Sequence, residues 1–329
     1  MSNKQYPLIS VLIPTYNTAD YVNKTISCIL MQSYPNIELC IVDDGSTDGT
    51  VNILKELDST YTGTKQINIA YSNHQGCGAT RNELLLRAHG EYIFWLDSDD
   101  TISPDTLLHC YELLQKENCD AVRIDFTTNY VGIITMDNPA YMRLLLTDRL
   151  KSYLPGTLFK RSLWEGLTFD TLSLVEDYEI YPSVASRIQK IGLIRSTGYY
   201  NYVRGREGSL TTENATKVSG LVPRMKSAEK RYDIFRGSFK DESEVILSQF
   251  VNYAVILYLK TFDSKETALY AKDAKNMLAF HYEDIKKCPL IKGWRLKEVQ
   301  AIVHGNKPLC YAYKVMHRAK QKTVGVRKH

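Results

Sequence analysis

Three acidic clusters hold the residue types that could do chemistry. Asp97-Ser98-Asp99 follows the apolar run Tyr92–Leu96. Alternate side chains of an extended backbone project to one side. Asp97 and Asp99 can therefore offer a divalent cation two hard oxygen donors and leave its other positions to phosphate oxygens. With Asp100, the same residues also suit a strand-end turn and a helix N-cap. Asp43-Asp44 follows a second apolar run, Ile37–Val42. A carboxylate there can accept hydrogen bonds from a base N–H or a ribose hydroxyl, although Asp-Gly-Ser-Thr-Asp is equally good turn chemistry. Glu176-Asp177-Tyr178-Glu179 is the third cluster. A carboxylate within reach of an acceptor hydroxyl can take its proton; an exposed acidic helix start would read the same way. Tyr16 could stack on a base or simply edge a pocket. Arg81 could meet a phosphate or stand as a surface helix arginine.

These residues need elements to position them. Leu8–Ile13 is a short apolar run stopped by Pro14, which reads as a buried strand. Val22, Ile26, Ile29 and Leu30 recur at helical spacing. Ile37–Val42, Ile67–Tyr71 and Tyr92–Leu96 read as further strands. Asp48 is placed to N-cap a helix carrying Val51, Leu54 and Leu57. Gly78–Ala88 reads as a helix ended by Gly90, and Ser103-Pro104 as a helix start. Strands alternating with helices predict an α/β fold: a doubly wound, mostly parallel sheet flanked by helices. Ligands of such sheets bind outside the carboxyl ends of the strands, which is where Thr15-Tyr16-Asn17, Asp43–Ser46 and Asp97–Asp100 fall. Beyond about residue 215 the pattern is helical, through Leu247, Phe250, Val251, Ala254 and Leu257, then Met277, Leu278 and Phe280. Trp294, Leu296 and Val299 are expected to form one apolar stripe, and Lys314–Lys322 a basic terminal helix. The expected division is a catalytic domain over residues 1–215 and a basic, mainly helical region over 216–329.

Composition narrows the class. The 329 residues are 44% hydrophobic and 24% charged, ordinary for a globular protein and unlike a disordered, collagen-like or disulfide-scaffold chain. No apolar run approaches a membrane span, and the polar start Met1–Gln5 predicts no signal peptide. The odd count of seven cysteines, with no CxxC pair, suits a reducing, cytosolic compartment and excludes a Cys-rich zinc site. The net charge of +4 conceals −8 over Met1–Ala215 and +12 over Thr216–His329. Such a split suits either a surface that docks something anionic, membrane or nucleic acid, or a solvated Lys-rich helical region. Neither GxGxxG after the first strand nor GxxxxGK[ST] is present, against a dinucleotide oxidoreductase or a P-loop NTPase.

In order and spacing, the segments resemble the family 2 glycosyltransferases, inverting enzymes of GT-A fold. The resemblance covers roughly residues 7–212. It is carried by Ser10–Asn17, Ile41–Asp48, Gly78-Ala79-Thr80-Arg81-Asn82, Gly90-Glu91-Tyr92 leading into Leu96–Asp100, Glu176-Asp177, and Arg206-Glu207-Gly208-Ser209. Thr80 stands where Ala is usual, and Tyr178 where an apolar residue is usual; neither change removes a functional group. The resemblance implies that Thr15, Tyr16, Asp43, Asp44, Arg81, Asp97, Ser98 and Arg206 bind the nucleotide sugar, UDP being the expected nucleotide. It implies that Asp97 and Asp99 hold Mn²⁺ or Mg²⁺, that Asp177 is the general base, and that Glu176 lies on the acceptor side. It further implies a hydroxyl acceptor on a glycan or lipid-linked intermediate of bacterial surface-polysaccharide synthesis, in the cytoplasm. Lys314, Arg318, Lys320, Lys322, Arg327 and Lys328 could then meet the inner face of the plasma membrane, or serve as a solubilising tail or an oligomer contact; no nucleic-acid module is recognisable. Two other functions remain as alternatives. A nucleotidyltransferase would need a Gly-rich basic loop where Pro14-Thr15-Tyr16-Asn17 stands. A catalytically idle nucleotide-sugar-binding scaffold would have no need of the Asp97, Asp99 and Asp177 carboxylates.

Overall fold

β1 (Ile9–Thr15) is buried at every residue but Pro14, as a strand covered on both faces must be. In this computed structural model it lies between β2 (Ile37–Asp43) and β4 (Tyr92–Trp95), parallel to both. Along β1, β4 pairs with Ile9–Leu12 and not with Pro14, so the missing N–H of Pro14 breaks no bond to that neighbour. The structure describes residues 6–126, 131–171, 175–203 and 218–325. They fall into two compact units, Met1–Arg206 and Glu207–His329.

The first unit is built on an eight-stranded sheet of order β3-β2-β1-β4-β8-β6-β9-β7. β3 (Gln66–Tyr71), β6 (Ala121–Asp125) and β9 (Lys190–Arg195) run with β1, while β8 (Thr157–Lys160) and β7 (Gly132–Asp137) run against their neighbours. The chain winds β1, β2, β3 to one side and then returns to place β4 on the other side of β1. That reversal makes the carboxyl ends of β1 and β4 the crevice of the sheet. α1 (Val22–Leu30), α2 (Thr50–Thr60), α3 (Cys77–Arg87) and α4 (Thr106–Glu117) connect and cover these strands. β5 (Thr101–Ile102) and β10 (Tyr200–Asn201) form a small antiparallel pair beside the sheet.

Several helix boundaries differ from the sequence expectation for local reasons. α4 begins at Thr106, after a turn closed by Thr106 N–H to Ser103 O, so Pro104 precedes the helix. The formal N-cap of α2 is Gly49, but Asp48 Oδ1 still accepts the Thr50 amide at 2.9 Å. α3 ends when Ala88 becomes extended. Gly90 instead lies so close to β1 that a Cβ would stand 2.7 Å from the Leu8 carbonyl.

The second unit is helical: α7 (Val218–Phe235), α8 (Lys240–Thr261), α9 (Ala268–Phe280), α10 (Tyr282–Lys287), α11 (Gly293–Val303) and α12 (Lys307–Gly325). α8 is its centre. It packs against α7, α9, α11 and α12 and buries Leu247, Phe250, Val251, Ala254 and Leu257. The expected Trp294-Leu296-Val299 stripe does not form. Val299 is buried, whereas Trp294 is exposed and donates Nε1–H to Glu298 at 2.9 Å. Positions 294 and 296 are two apart and so point to different sides of a helix.

Candidate active site

The ends of β1 and β2 are tied together by their own polar groups. Asp44 N–H donates to Thr15 O at 2.9 Å, and the buried Asp43 carboxylate accepts the Ser46 amide and hydroxyl at 2.9 and 2.5 Å. Asp44 is also buried. Its two oxygens accept the amides of Gln75 and Gly76 at 2.8 and 2.9 Å, joining the end of β2 to the loop that enters α3. Gly45 permits this approach. Its φ is +73°, and a Cβ there would lie 2.8 Å from His74 N. Tyr16 stands exposed at the rim and stacks on the His74 ring at 4.3 Å, with 23° between the planes. His74 Nδ1 in turn lies 3.0 Å from Asp44 Oδ2. His74 was not among the residues expected from sequence; its one signal is its place just past the carboxyl end of β3.

The second group forms around Arg81 on α3. Gly78 lets this helix run flush against the 169–171 segment: a Cβ there would meet Asp170 O at 2.4 Å. Asn82 exchanges two hydrogen bonds with the Phe169 backbone, at 2.8 and 3.0 Å. The Arg81 side chain, only 5% exposed, is thereby held over the rings of Trp95 (5.2 Å) and Phe169 (5.9 Å). Its Nη2 lies 3.4 Å from Asp97 Oδ1 and 3.5 Å from Asp177 Oδ1, and its Nε 3.6 Å from Glu176 Oε1. One guanidinium thus gathers three carboxylates from segments far apart in the chain. The Cys77 thiol belongs to the same group; burial, with Arg81 opposing, raises its pKa and keeps it a neutral thiol.

Asp177 lies in the first turn of α6 (Glu176–Ala185). Its Oδ2 accepts the Leu154 amide at 3.1 Å, while Oδ1 is buried with no hydrogen-bond partner. Burial pushes this carboxyl up to about 6, with Arg81 pulling it down and Glu176 pushing it further up. Asp97 too is held above the ordinary carboxylate range by burial, with Arg81 opposing and Asp100, Asp177 and Asp99 adding to it. Asp100 belongs to the turn. It is fully buried and accepts Tyr200 Oη–H at 2.5 Å and the Val203 amide at 2.8 Å. The Ser98 and Asp100 carbonyls both face the Thr25 hydroxyl, at 2.9 and 2.8 Å. Asp97 and Asp99 remain partly accessible at the strand end. Among the described residues no third His, Cys, Asp or Glu completes an all-protein metal cage. Two carboxylates with open positions beside them are the donor set that suits Mg²⁺ or Mn²⁺ shared with a diphosphate. Arg206 lies outside the described residues.

A mostly parallel sheet with helices on its faces and acidic groups gathered at the carboxyl ends of its strands is the arrangement of a GT-A type glycosyltransferase, the class that the relatives below share. The chain belongs to glycosyl transferase family 2, whose model matches residues 10–162. A Haemophilus influenzae protein described as an uncharacterized glycosyltransferase is 43% identical over 259 residues, 77% of this chain and 95% of that one. The Bacillus subtilis protein TuaG, whose name places it in teichuronic acid biosynthesis, is 40% identical over 114 residues, 34% of this chain; the match spans 44% of TuaG, less than half of its length. The fold is shared with Staphylococcus aureus TarS residues 1–349, solved in complex with UDP-GlcNAc: TM-score 0.67, 20% identity, covering 96% of this chain and 92% of that one.

Proposed function

We propose that this enzyme transfers a sugar, with inversion, from a UDP-sugar to a hydroxyl of a glycan or lipid-linked acceptor in bacterial surface-polysaccharide synthesis. The observation that carries the reading is Asp177. Its buried Oδ1 accepts no hydrogen bond and faces only the Arg81 cation that it shares with Asp97, and its proton affinity is raised toward neutrality. Asp177 takes the acceptor proton as the acceptor oxygen bonds to the anomeric carbon. The bond from that carbon to the diphosphate oxygen breaks on the opposite face. Tyr16 stacks on the base and Asp44 keeps the loop beside it in place. Asp97 and Asp99 would hold the divalent cation, which when bound neutralises charge on the leaving diphosphate. TarS, bound to UDP-GlcNAc, supports the choice of nucleotide, and TuaG the choice of pathway class.

A panel of UDP- and GDP-sugars with Mn²⁺, Mg²⁺ or EDTA, read by mass spectrometry of released nucleotide, tests this. We expect UDP release from one or two UDP-sugars, abolished by EDTA. Binding without release from any donor, with acceptor glycans present, would favour the idle scaffold; release that persists in EDTA would remove the metal.

Membrane contact is the second part of the proposal, and α12 changes its form. Lys314 is not a free cation: it is buried, paired with Asp263, and lies over the Phe262 ring at 5.3 Å. Arg318 is exposed; the side chains of Lys320, Lys322, Arg327 and Lys328 lie outside those described. Among the described residues α12 also exposes a set of apolar side chains beside Arg318, with Val315 at 64%, Tyr311 at 48% and Met316 at 43% exposure. An apolar face in a region of charge +12 suits the surface of an anionic bilayer. The enzyme should float with phosphatidylglycerol vesicles and not with phosphatidylcholine, and V315E/M316E should lose most of that binding. Equal flotation of the variant would remove α12 as the contact.

A further inference from the structure

Behind Asp177 lies a second buried arginine. Arg123 sits on β6, 2% exposed, beside Thr157 of β8. Its guanidinium lies over the rings of Tyr181 (5.3 Å) and Tyr153 (5.5 Å). Nη2 donates to the Lys151 carbonyl at 2.5 Å, and the guanidinium also faces the Tyr141 and Tyr181 hydroxyls. Burying a cation is costly, and a well-packed apolar side chain would fill the same space at less cost. Its retention asks for a function.

The neighbours of Arg123 supply one. Tyr181 is one helical turn after Asp177 and lies on the same face of α6. Its hydroxyl meets that of Tyr141, on α5 (Asn138–Leu146), at 2.6 Å, which fixes α6 against α5. The carbonyl that Arg123 holds, that of Lys151, and the amide that Asp177 holds, that of Leu154, belong to one irregular four-residue segment. Arg123 therefore grips both supports of Asp177: the helix face that carries it and the segment that donates to its Oδ2. The ionisable groups facing Asp177 are Arg81 and Cys77 from α3, Asp97 from the end of β4, Glu176 on its own helix and Arg123 from β6.

We propose that Arg123 is a positioning residue for Asp177, holding the 151–154 segment and the α6 face so that Oδ1 stays directed toward Arg81 and the reacting hydroxyl. This rests on Asp177 being the base. The test uses Arg123→Met, apolar and of similar length, and Arg123→Lys. Both are assayed by UDP release from UDP-glucose, UDP-galactose, UDP-GlcNAc and UDP-GalNAc, and by hydrogen exchange at the Leu154 amide. We expect Arg123→Met to lower kcat about tenfold or more with KM and UDP affinity within about twofold, and Arg123→Lys to recover part of the loss. Leu154 exchange should quicken about tenfold in Arg123→Met. In an Asp177→Asn background, Arg123→Met should cause no further loss, because both act through one group. A lowered melting temperature with unchanged kcat and an unchanged Leu154 exchange rate would overturn the proposal. Full activity in Asp177→Asn alone would overturn the base assignment instead, and Leu154 exchange would still report whether Arg123 holds the segment.

Discussion

Asp177→Asn should lower kcat by about a thousandfold, the scale of a lost general base, and leave UDP affinity within about twofold. The substitution is nearly isosteric. An Asn oxygen can still accept the Leu154 amide now held at 3.1 Å, so the side chain stays in place while its proton affinity is lost. The donor side should be little changed, because the Tyr16–His74 stack past the carboxyl ends of β1 and β3 is held by Asp44 and not by Asp177. The pH profile carries a second signature. Burial raises the Asp177 carboxyl to about 6, and the ionised form is the base. In the wild-type enzyme kcat/KM should therefore fall on the acid side of about pH 6. In Asp177→Asn that limb should vanish from the residual rate. An unchanged kcat would dismiss Asp177. Glu176, whose Oε1 lies 3.6 Å from Arg81 Nε, would then be the carboxylate to replace.

What the sequence showed and what it hid divide along a physical line. Strand periodicity places Thr15, Asp43 and Asp97 at the ends of buried runs, and the doubly wound topology brings those ends together. Local patterns could reach that far. They could not reveal that Arg81 gathers Asp97, Glu176 and Asp177, since those contacts cross the chain by 16, 95 and 96 positions and depend on how flush α3 lies against Asp170. Nor could they tell that Asp44 braces the loop entering α3 or that Asp100 anchors Tyr200. A carboxylate in a turn reads the same whether its partner is a ligand or a backbone amide. Arg123 escaped because a single basic residue in an apolar strand carries no pattern at all. Lys314 misled for the converse reason: charge counted along a helix does not say which cations are already paired.

Arg81→Met should destabilise the enzyme more at pH 8 than at pH 5. The side chain is buried, and its charge lowers the proton affinity of both Asp97 and Asp177, opposing the rise that burial causes. Removing it leaves three carboxylates without their shared cation, a change worth about 3 kcal/mol for a buried group that has lost its partner. The carboxyls can escape part of that cost by taking up protons. Burial raises the Asp177 carboxyl from 3.8 to about 6, and Arg81 is the foremost influence opposing that rise, so in the variant it should rise further. A group whose pKa is higher folded than unfolded binds more protons in the native state, so its stabilising effect is present in acid and is lost as pH rises through the folded value. At pH 5 Asp97 and Asp177 of the variant are largely protonated and the melting temperature should lie within a few degrees of wild type. At pH 8 the unfolded chain has released these protons, so the folded variant must either retain them or ionise crowded carboxyls, and the gap should be at its widest. Arg81→Lys keeps the charge but not the planar fork that spans three partners, and should fall between the two. Differential scanning fluorimetry from pH 5 to 8 makes the comparison. A gap of equal size at both ends would mean that Arg81 acts mainly by filling the space between Trp95 and Phe169, and that its charge matters to the chemistry alone.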